Sequence, residues 1–459
     1  MSPPHTVSAA RQPSGLALLS AVEMWERFSY YGMRAILVLF LTATLDRGGF
    51  GWSIAEASHL YGWYTGLVYL TPILGGYLAD RHIGTHRAMV AGAIIIAAGH
   101  FSLAFGGLST FYTGLALVCL GTGLFKPNVS TMVGQLYGSG DQRRDGGFTL
   151  FYMGINLGAM AGPLLCGWLA ENARFGWHYG FAAAGFGMLA GLAGYLAGRR
   201  RWLHGIGERP AKPGPDHVAI PVAPLSREDR GRILAILITS FFVIFFWLAF
   251  EQAGSSMTIF AERSTDRSLP AALVSVLGIA KFPASWFQSV NPAFILLLAP
   301  LFSLFWQRQN RDGRSMDTPL KMTIGLLLLG SGFLVLVVGA HVSDRGVLVG
   351  PQWLAAAYFL HTCGELCVSP VGLAMVTRLA PLRFAAALMG VWFLANFAAN
   401  LIGGYVAGAL VPIAQGRYFH LLGGQADFFL VFVASSALAA LLLGILRPTL
   451  RHLMAGADR

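Results

Sequence analysis

The chain contains twelve apolar runs, each of about 20 residues or more, and these runs restrict its fold more than any other feature. A helix of that length spans the hydrocarbon core of a bilayer and satisfies its own backbone hydrogen bonds there. Only 12% of the residues are charged, which is typical of a polytopic membrane protein. We therefore predict an all-α protein with twelve transmembrane helices. The predicted spans are 16–45, 53–79, 88–107, 110–137, 147–170, 177–198, 233–260, 286–306, 318–340, 352–377, 383–410 and 427–447.

Two segments outside these spans need a separate interpretation. The apolar run 269–280 is too short to cross a bilayer, so we expect a loop or a re-entrant element there. The segment 1–15 lacks a charged region followed by a cleavage motif, so no removable signal peptide is expected.

The longest polar stretch, 199–232, divides the spans into six and six. It is rich in arginine and proline, which is typical of a loose linker. We predict an N-terminal six-helix bundle over 1–198, a cytoplasmic linker over 199–232 and a C-terminal six-helix bundle over 233–459.

The distribution of basic residues indicates how the chain crosses the membrane. Of 32 lysines and arginines, 22 fall on the face that carries both predicted termini, seven on the opposite face and three inside spans. By the positive-inside rule, both termini are expected in the cytoplasm, and the protein in the inner or plasma membrane. The net charge of +11 therefore indicates contact with the lipid bilayer and no nucleic-acid partner.

The four cysteines all fall in predicted spans, where a disulfide framework is not expected. Cys363 and Cys367 share a helix face, with His361 and Glu365 nearby, which would be compatible with a metal site. A transmembrane helix rich in small residues is the preferred interpretation, because no second Cys/His cluster has ligand spacing. We expect no metal.

Four ionisable groups and a phenol lie in the first predicted span. At 100° per residue, Glu23, Glu26, Arg27, Tyr30 and Arg34 fall on one helix face. Charge at membrane depth is costly and usually serves transport or catalysis. The alternative is a set of salt bridges that only hold helices together.

Three further charges lie near span centres. Lys126 needs an acidic partner or a substrate anion; Glu23 or Glu26 is the nearest partner, and a permanent ion pair is the alternative. Glu365 has no obvious cation in its half, so it is either protonated or receives a cation. Glu251 lies on a helix that could meet the first helix, as a gate, as a proton-linked switch or as a structural ion pair.

These charges favour a carrier over an enzyme. Arg34 and Lys126 on one side and Glu365 on the other suit a zwitterion, with a carboxylate at one end and an ammonium at the other. Ser369 or Cys363 could be imagined as a nucleophile, but no His/Asp constellation or metal spacing accompanies them. We therefore predict that the protein is not an enzyme.

The connection between the second and third spans carries a recognisable motif. The segment 76–84, Gly-Tyr-Leu-Ala-Asp-Arg-His-Ile-Gly, is followed by Arg87 and resembles the loop motif of the major facilitators. Together with two six-helix halves, it implies the major facilitator fold, with a substrate site at the midplane between pseudo-symmetric bundles.

More specific motifs resemble the proton-dependent oligopeptide transporters, a branch of the major facilitators. The first-helix sequence Glu-Met-Trp-Glu-Arg-Phe is similar to the acid-acid-arginine motif of that family, and the resemblance covers nearly the whole chain. The matching segments are 23–34, 69–72, 151–158, 250–252 with 254–256, 285–292, 364–365 with 369–370, and 392–394.

The resemblance implies a proton-coupled symporter that imports di- and tripeptides by alternating access, as a functional monomer with protons as coupling ion and no cofactor. The alternative is a proton-coupled carrier of another small solute, such as nitrate, an amino-acid derivative or a peptide-like drug. The implied substrate-binding residues are Arg34 and Lys126 for the peptide carboxylate, Glu365, Asn156 and Asn291 for the amino terminus, and Tyr30, Tyr69 and Trp392 for side chains. The implied proton-coupling residues are Glu23, Glu26, Arg27 and Glu251.

The chain departs from the family pattern in two ways. Many bacterial members carry two additional helices between the halves, and 199–232 is too short and polar to hold them. The histidine of animal members falls here at Gly62, and His59 lies one turn earlier on roughly the same face. His59 either replaces it in proton coupling or is a helix-end histidine without a role.

Overall fold

The computed structural model describes residues 11–138, 140–208, 225–312 and 316–454. Within these ranges the chain is all-helical, as predicted, and twelve α-helices have 20 or more residues. The helices are α1 Ser14–Thr42, α2 Ile54–Leu78, α3 Thr85–Ala104, α4 Leu108–Gln135, α5 Arg144–Glu171, α6 Trp177–Trp202, α7 Arg227–Phe250, α8 Ser256–Ser264, α9 Ala271–Leu277, α10 Val290–Arg311, α11 Thr318–Ser343, α12 Gln352–Leu379, α13 Ala385–Gly408, α14 Leu410–Ala414 and α15 Gly424–Met454.

Ten helical segments of the described chain are long and apolar enough to cross a membrane. The two remaining long helices are α1, which carries four charges, and α2, which is rich in tyrosine and glycine. The run 269–280 contains only the seven-residue helix α9, in agreement with the expectation that it does not span.

The seventh predicted span, 233–260, lies within one helical segment long enough to cross the membrane, Arg227–Arg263, but a turn interrupts its α-helix. α7 ends at Phe250, a 3₁₀ turn covers Glu251–Gly254, and α8 begins at Ser256. A β-carbon on Gly254 would lie 1.8 Å from the hydroxyl oxygen of Tyr61, so the glycine allows α2 to approach the chain closely at this break. This contact joins segments far apart in sequence, which hydropathy does not report.

The predicted linker bounds also differ from the helix ends. α6 continues to Trp202 and α7 begins at Arg227, because the polar ends of both helices remain helical beyond the apolar windows. Part of the predicted linker, 209–224, lies outside the described residues. The division into two bundles stays a prediction.

Close backbone approach positions the first helix. A β-carbon on Gly158 of α5 would lie 2.0 Å from the carbonyl oxygen of Met24, and one on Gly162 would lie 2.3 Å from that of Phe28. Glycines at this spacing let two helices pack with their backbones in contact, as is common in membranes. α5 therefore supports α1 along the stretch that bears the charges.

We call α1–α6 the first half of the chain and α7–α15 the second half. Contacts between these two halves concentrate at one end of the molecule. α2 packs on α13, where a β-carbon on Gly404 would lie 2.7 Å from the α-carbon of Gly62, and α5 packs on the 3₁₀ segment Ala284–Ser289 and on α10. We call this the closed end. It is where α1 finishes and α2 begins, away from Ser14 and Met454, and its contacts involve residues 34–66, 160–171, 251–289 and 397–408.

Candidate functional site

Three buried charges lie together on α1. The Nε atom of Arg27 lies 3.1 Å from Oε1 of Glu23, one helical turn away, and it also donates a hydrogen bond to Oε2 of Glu26. The other oxygen of each glutamate is buried and has no hydrogen-bond partner among the described residues. When ionised, the three groups sum to a net negative charge at membrane depth. Such a charge is costly unless a cation or a proton compensates it.

Lys126 on α4 does not pair with these acids. Its Nζ atom lies 5.0 Å from the ring centroid of Tyr69, and no ion pair within the described part of the chain includes it. The expected partners Glu23 and Glu26 are bonded to Arg27 instead. Arg27 is on the same helix and reaches both acids without any helix–helix contact, while the electrostatic attraction of Glu26 and Glu23 still extends to Lys126. Lys126 is half-buried and remains available.

A second arginine of α1 joins the two halves of the molecule. The Nη2 atom of Arg34 lies 2.5 Å from Oε2 of Glu251, at the end of α7, and Nε of Arg34 donates to the hydroxyl of Tyr61 at 2.6 Å. All three side chains are buried. The break after α7 positions both partners, because Glu251 begins the 3₁₀ turn and Gly254 in that turn contacts Tyr61. Arg34 is therefore occupied in this conformation.

Glu365 on α12 lies in the second half. Asn291 on α10 donates to Oε2 of Glu365 at 2.9 Å and to the hydroxyl of Thr362 at 3.0 Å. In the described ranges no lysine, arginine or histidine forms an ion pair with Glu365. A buried carboxylate held by a single amide is deficient in donors, so it can accept an ammonium group or a proton.

Three predicted residues lie outside these clusters. Asn156 donates to a carbonyl of its own helix at 2.9 Å. Trp392 packs against α12, where a β-carbon on Gly372 would lie 2.3 Å from the indole ring. His59 lies against Tyr405, with ring centroids 4.4 Å apart, in the contact between α2 and α13.

The aromatic residue Tyr30 is closer to the α1 charges. The guanidinium carbon of Arg27 lies 5.4 Å from the Tyr30 ring centroid, and Tyr30 stacks on Tyr64 at 6.4 Å. The sequence did not predict Tyr61 or Thr362 as partners of the charged groups. A hydroxyl in an aromatic-rich or small-residue helix has no local pattern that distinguishes it.

The charged residues of the site can bind ligand charges and protons. Lys126 in one half and Glu365 in the other form no ion pair with any residue that the structure describes, so they can bind the two ends of a zwitterion. Glu23, Glu26 and Glu251 can exchange a proton. Among the described residues, no group of three or more His, Cys, Asp or Glu is placed to hold a metal ion.

Comparison with known proteins identifies the family. The POT family profile matches residues 86–213 and 219–419. The peptide transporter YePEPT of Yersinia enterocolitica is 40% identical over 86% of this chain and 88% of its own. The dipeptide and tripeptide permease A of Salmonella typhimurium is 31% identical over 99% of this chain and 95% of its own.

Solved structures agree in fold. A crystal structure of the peptide transporter POT in complex with sulfate superimposes with a TM-score of 0.84, at 34% identity, over 97% of this chain and 96% of that one. Sequence and fold thus match over almost the full length. The chain belongs to the POT family, the proton-dependent oligopeptide transporters, and has the major facilitator fold.

Proposed function

We propose that this protein is a proton-coupled symporter that imports di- and tripeptides by alternating access. One observation carries the proposal: Lys126 and Glu365, on opposite halves, are groups of opposite charge, and neither forms an ion pair within the described ranges. A peptide zwitterion supplies both missing partners at once. The relatives named as a peptide transporter and as a dipeptide and tripeptide permease support this substrate class.

The other residues complete the peptide site. Lys126 binds the peptide carboxylate, and Arg34 joins it once released from Glu251. Glu365 and Asn291 bind the amino terminus of the peptide. Asn156 joins them once its side-chain amide no longer donates to the carbonyl of its own helix. Tyr30, Tyr69 and Trp392 contact the substrate side chains, because aromatic surfaces accept varied groups without fixed hydrogen bonds.

The proton acts on the contact between the halves. Protonation of Glu251 removes the charge that holds Arg34, which weakens the closed end and frees Arg34 for the peptide carboxylate. Protonation of Glu23 or Glu26 loosens Arg27 within α1, where both acids and the arginine lie on one helix. His59 packs against Tyr405 in the contact between α2 and α13, and we assign it to packing. Coupling follows because peptide and proton each favour one conformation over the other.

The membrane arrangement follows from the charge distribution. Both termini lie in the cytoplasm of a cell whose inner or plasma membrane holds the protein, so the closed end faces outward. Lys126, Glu365 and Arg34 all come from one chain. A single chain therefore contains the complete site and functions as a monomer.

Uptake into proteoliposomes tests the proposal. Labelled dipeptide should accumulate when an inward proton gradient is imposed, and Lys126→Ala should reduce this driven uptake at least tenfold, since about 1.4 kcal/mol of lost binding has that effect. Lys321→Ala is the matched control, because Lys321 also stacks on an aromatic ring, 4.5 Å from the centroid of Trp306, outside the site. Equal uptake without a gradient, after correction for leak, would refute coupling; full uptake by Lys126→Ala would remove Lys126 from the mechanism.

A second candidate is a carrier of another small solute, such as an amino-acid derivative, a peptide-like drug or nitrate. Lys126 and Glu365 recognise the two charged ends of a zwitterion. These two residues alone do not distinguish a peptide from another zwitterion. Competition against labelled dipeptide by single amino acids, peptide analogues and nitrate separates the two. Stronger competition by any of these than by unlabelled dipeptide would favour the second candidate.

A further inference from the structure

The closed end contains a second charged contact between the halves. Glu171, the last residue of α5, accepts hydrogen bonds from the backbone N–H groups of Ala284 at 2.7 Å and Ser285 at 3.0 Å. The hydroxyl of Ser285 donates to the same carboxylate at 2.6 Å. Glu171 belongs to the first half and its donors to the second. The sequence analysis did not single it out, because a carboxylate at a span end is ordinarily a solvated loop charge.

An arginine of the second half completes the contact. Nη1 of Arg267 lies 3.3 Å from Oε2 of Glu171 and donates to the carbonyl of Phe282 at 2.8 Å, while Nη2 bonds Glu262. The side chain of Glu171 is only 12% exposed. Both of its oxygens are therefore used by groups from the other half, in a largely desolvated position where such bonds are strongest.

The Glu171 carboxylate also caps the start of a helical segment in the other half. The 3₁₀ segment Ala284–Ser289 begins after Pro283, whose side chain makes no capping hydrogen bond. The first N–H groups of a helical segment have no partner within it and need an acceptor. Glu171 supplies that acceptor from the opposite half, so the helical start is capped only while the halves are in contact.

Neutral contacts continue from Glu171 along one face of α5. Ser289 donates to the carbonyl of Met160 at 2.7 Å, and the indole of Trp286 donates to the carbonyl of Leu164 at 2.9 Å. A β-carbon on Gly167 would lie 1.9 Å from the hydroxyl oxygen of Ser285, so the backbones meet closely. Glu171 ends this row of contacts and is its charged member.

We propose that Glu171 is a positioning residue for the transport cycle, an inter-half cap that holds the closed end shut. Opening of that end removes Ala284, Ser285 and Arg267 from the carboxylate together and leaves the segment Ala284–Ser289 uncapped. The contact therefore favours the conformation described here over one open at this end. The inference rests on the alternating access proposed above, and it adds a contact separate from Arg34 and Glu251.

Distances between spin labels test the proposal. Labels on Leu45→Cys and Val347→Cys report separation at the closed end; these side chains are 78% and 58% exposed, on the first and second half respectively. The native cysteines of the described chain are all buried. Glu171→Gln keeps the size but replaces one acceptor oxygen by an N–H₂ donor that faces other donors. We expect the fraction of molecules open at this end, relative to closed, to rise at least tenfold.

Asp427→Asn is the matched control. Asp427 is also a buried carboxylate that accepts backbone N–H groups at the closed end, from Leu421, Leu422 and Gly423, but all of these belong to its own half. It should destabilise the fold without lengthening the distances. Ser285→Ala removes a single bond and should give a smaller shift in the same direction, which keeps the test available if Glu171→Gln does not fold.

Two results would overturn the inference. One is a distance distribution in the Glu171 variant, or in Ser285→Ala if the former does not fold, identical to that of the unsubstituted protein. The other is an equal lengthening in Asp427→Asn. The distances are measured without peptide, so failure of peptide uptake would refute the proposed substrate while this result still decides the role of Glu171.

Discussion

Arg27 and Arg34 lie two turns apart on the same face of α1, and both are buried, yet their partners differ in kind. Arg27 bonds Glu23 and Glu26 of its own helix. Arg34 bonds Glu251, 217 residues away in the other half. The first pairing survives any movement of the halves as rigid bodies, whereas the second exists only while the closed end is shut. One helix thus carries a charge cluster that is paired within itself and an arginine that is paired with the other half.

The same energetic rule gives different consequences at the two arginines. Removing one partner of a buried ion pair costs about 3–5 kcal/mol, because the other charge stays buried and uncompensated. At Arg27 the acids belong to the same helix, so opening of the closed end does not separate them, and we expect the cost to fall on stability. At Arg34 the molecule can relieve the cost by opening, so it shifts the balance between conformations instead.

The largest effect is expected from Arg27→Met, which would leave Glu23 and Glu26 facing each other without a cation. We expect the free energy of unfolding to fall by about 3–5 kcal/mol, together with loss of driven uptake. The melting midpoint of the purified protein measures it. Arg27→Lys, which retains the charge, should lose less; a melting midpoint of Arg27→Met at or above that of Arg27→Lys would contradict a role in folding.

Glu251→Gln should act on conformation more than on stability. The substitution removes the charge that holds Arg34 to the other half, so the label distances at the closed end should lengthen, and uptake should no longer respond to an inward proton gradient. Glu228→Gln on the same helix is the control, since Glu228 is exposed and pairs with Arg232 at 3.8 Å within α7. Gradient-driven uptake at the level of this control would show that Glu251 has no part in coupling.

The smallest effect is expected from Tyr61→Phe, which removes one hydrogen bond to Arg34 and leaves the ion pair with Glu251 intact. A hydrogen bond to a charged group contributes about 1.5–3 kcal/mol, so the shift toward the open form should be weaker than in Glu251→Gln. Tyr64→Phe is the control, because the hydroxyl of Tyr64 is buried without a hydrogen-bond partner in the described chain. Identical label distances in both variants would mean that Tyr61 does not hold the closed end.

The predicted spans agree with most helices within a few residues. The fourth, predicted over 110–137, is found at Leu108–Gln135. The seventh lies within the candidate span Arg227–Arg263, but the prediction did not include the break at Glu251–Gly254, which accompanies a contact with Tyr61 of α2. Hydropathy reports what a segment buries, and it carries no information about a specific neighbour.

The candidate site was also predictable from the sequence only in part. The shared face of the α1 charges was predictable, since helical periodicity alone places them. The sequence could not show that both glutamates contact Arg27 and not Lys126, because that choice depends on distances between helices. Glu171 was overlooked because its donors are more than 100 residues away.

Composition, periodicity and motifs were enough to identify a helical membrane protein, a charged face on α1 and the motifs of a peptide carrier family. These properties depend on local composition and on spacing along one helix. Three features required the packed molecule: the pairing of Arg34 with Glu251, the capping of a segment of the other half by Glu171, and the absence of an ion pair at Lys126 and Glu365 among the described residues. Those outcomes depend on how closely backbones approach, as at Gly62 and Gly404, and such approach is a property of two surfaces together.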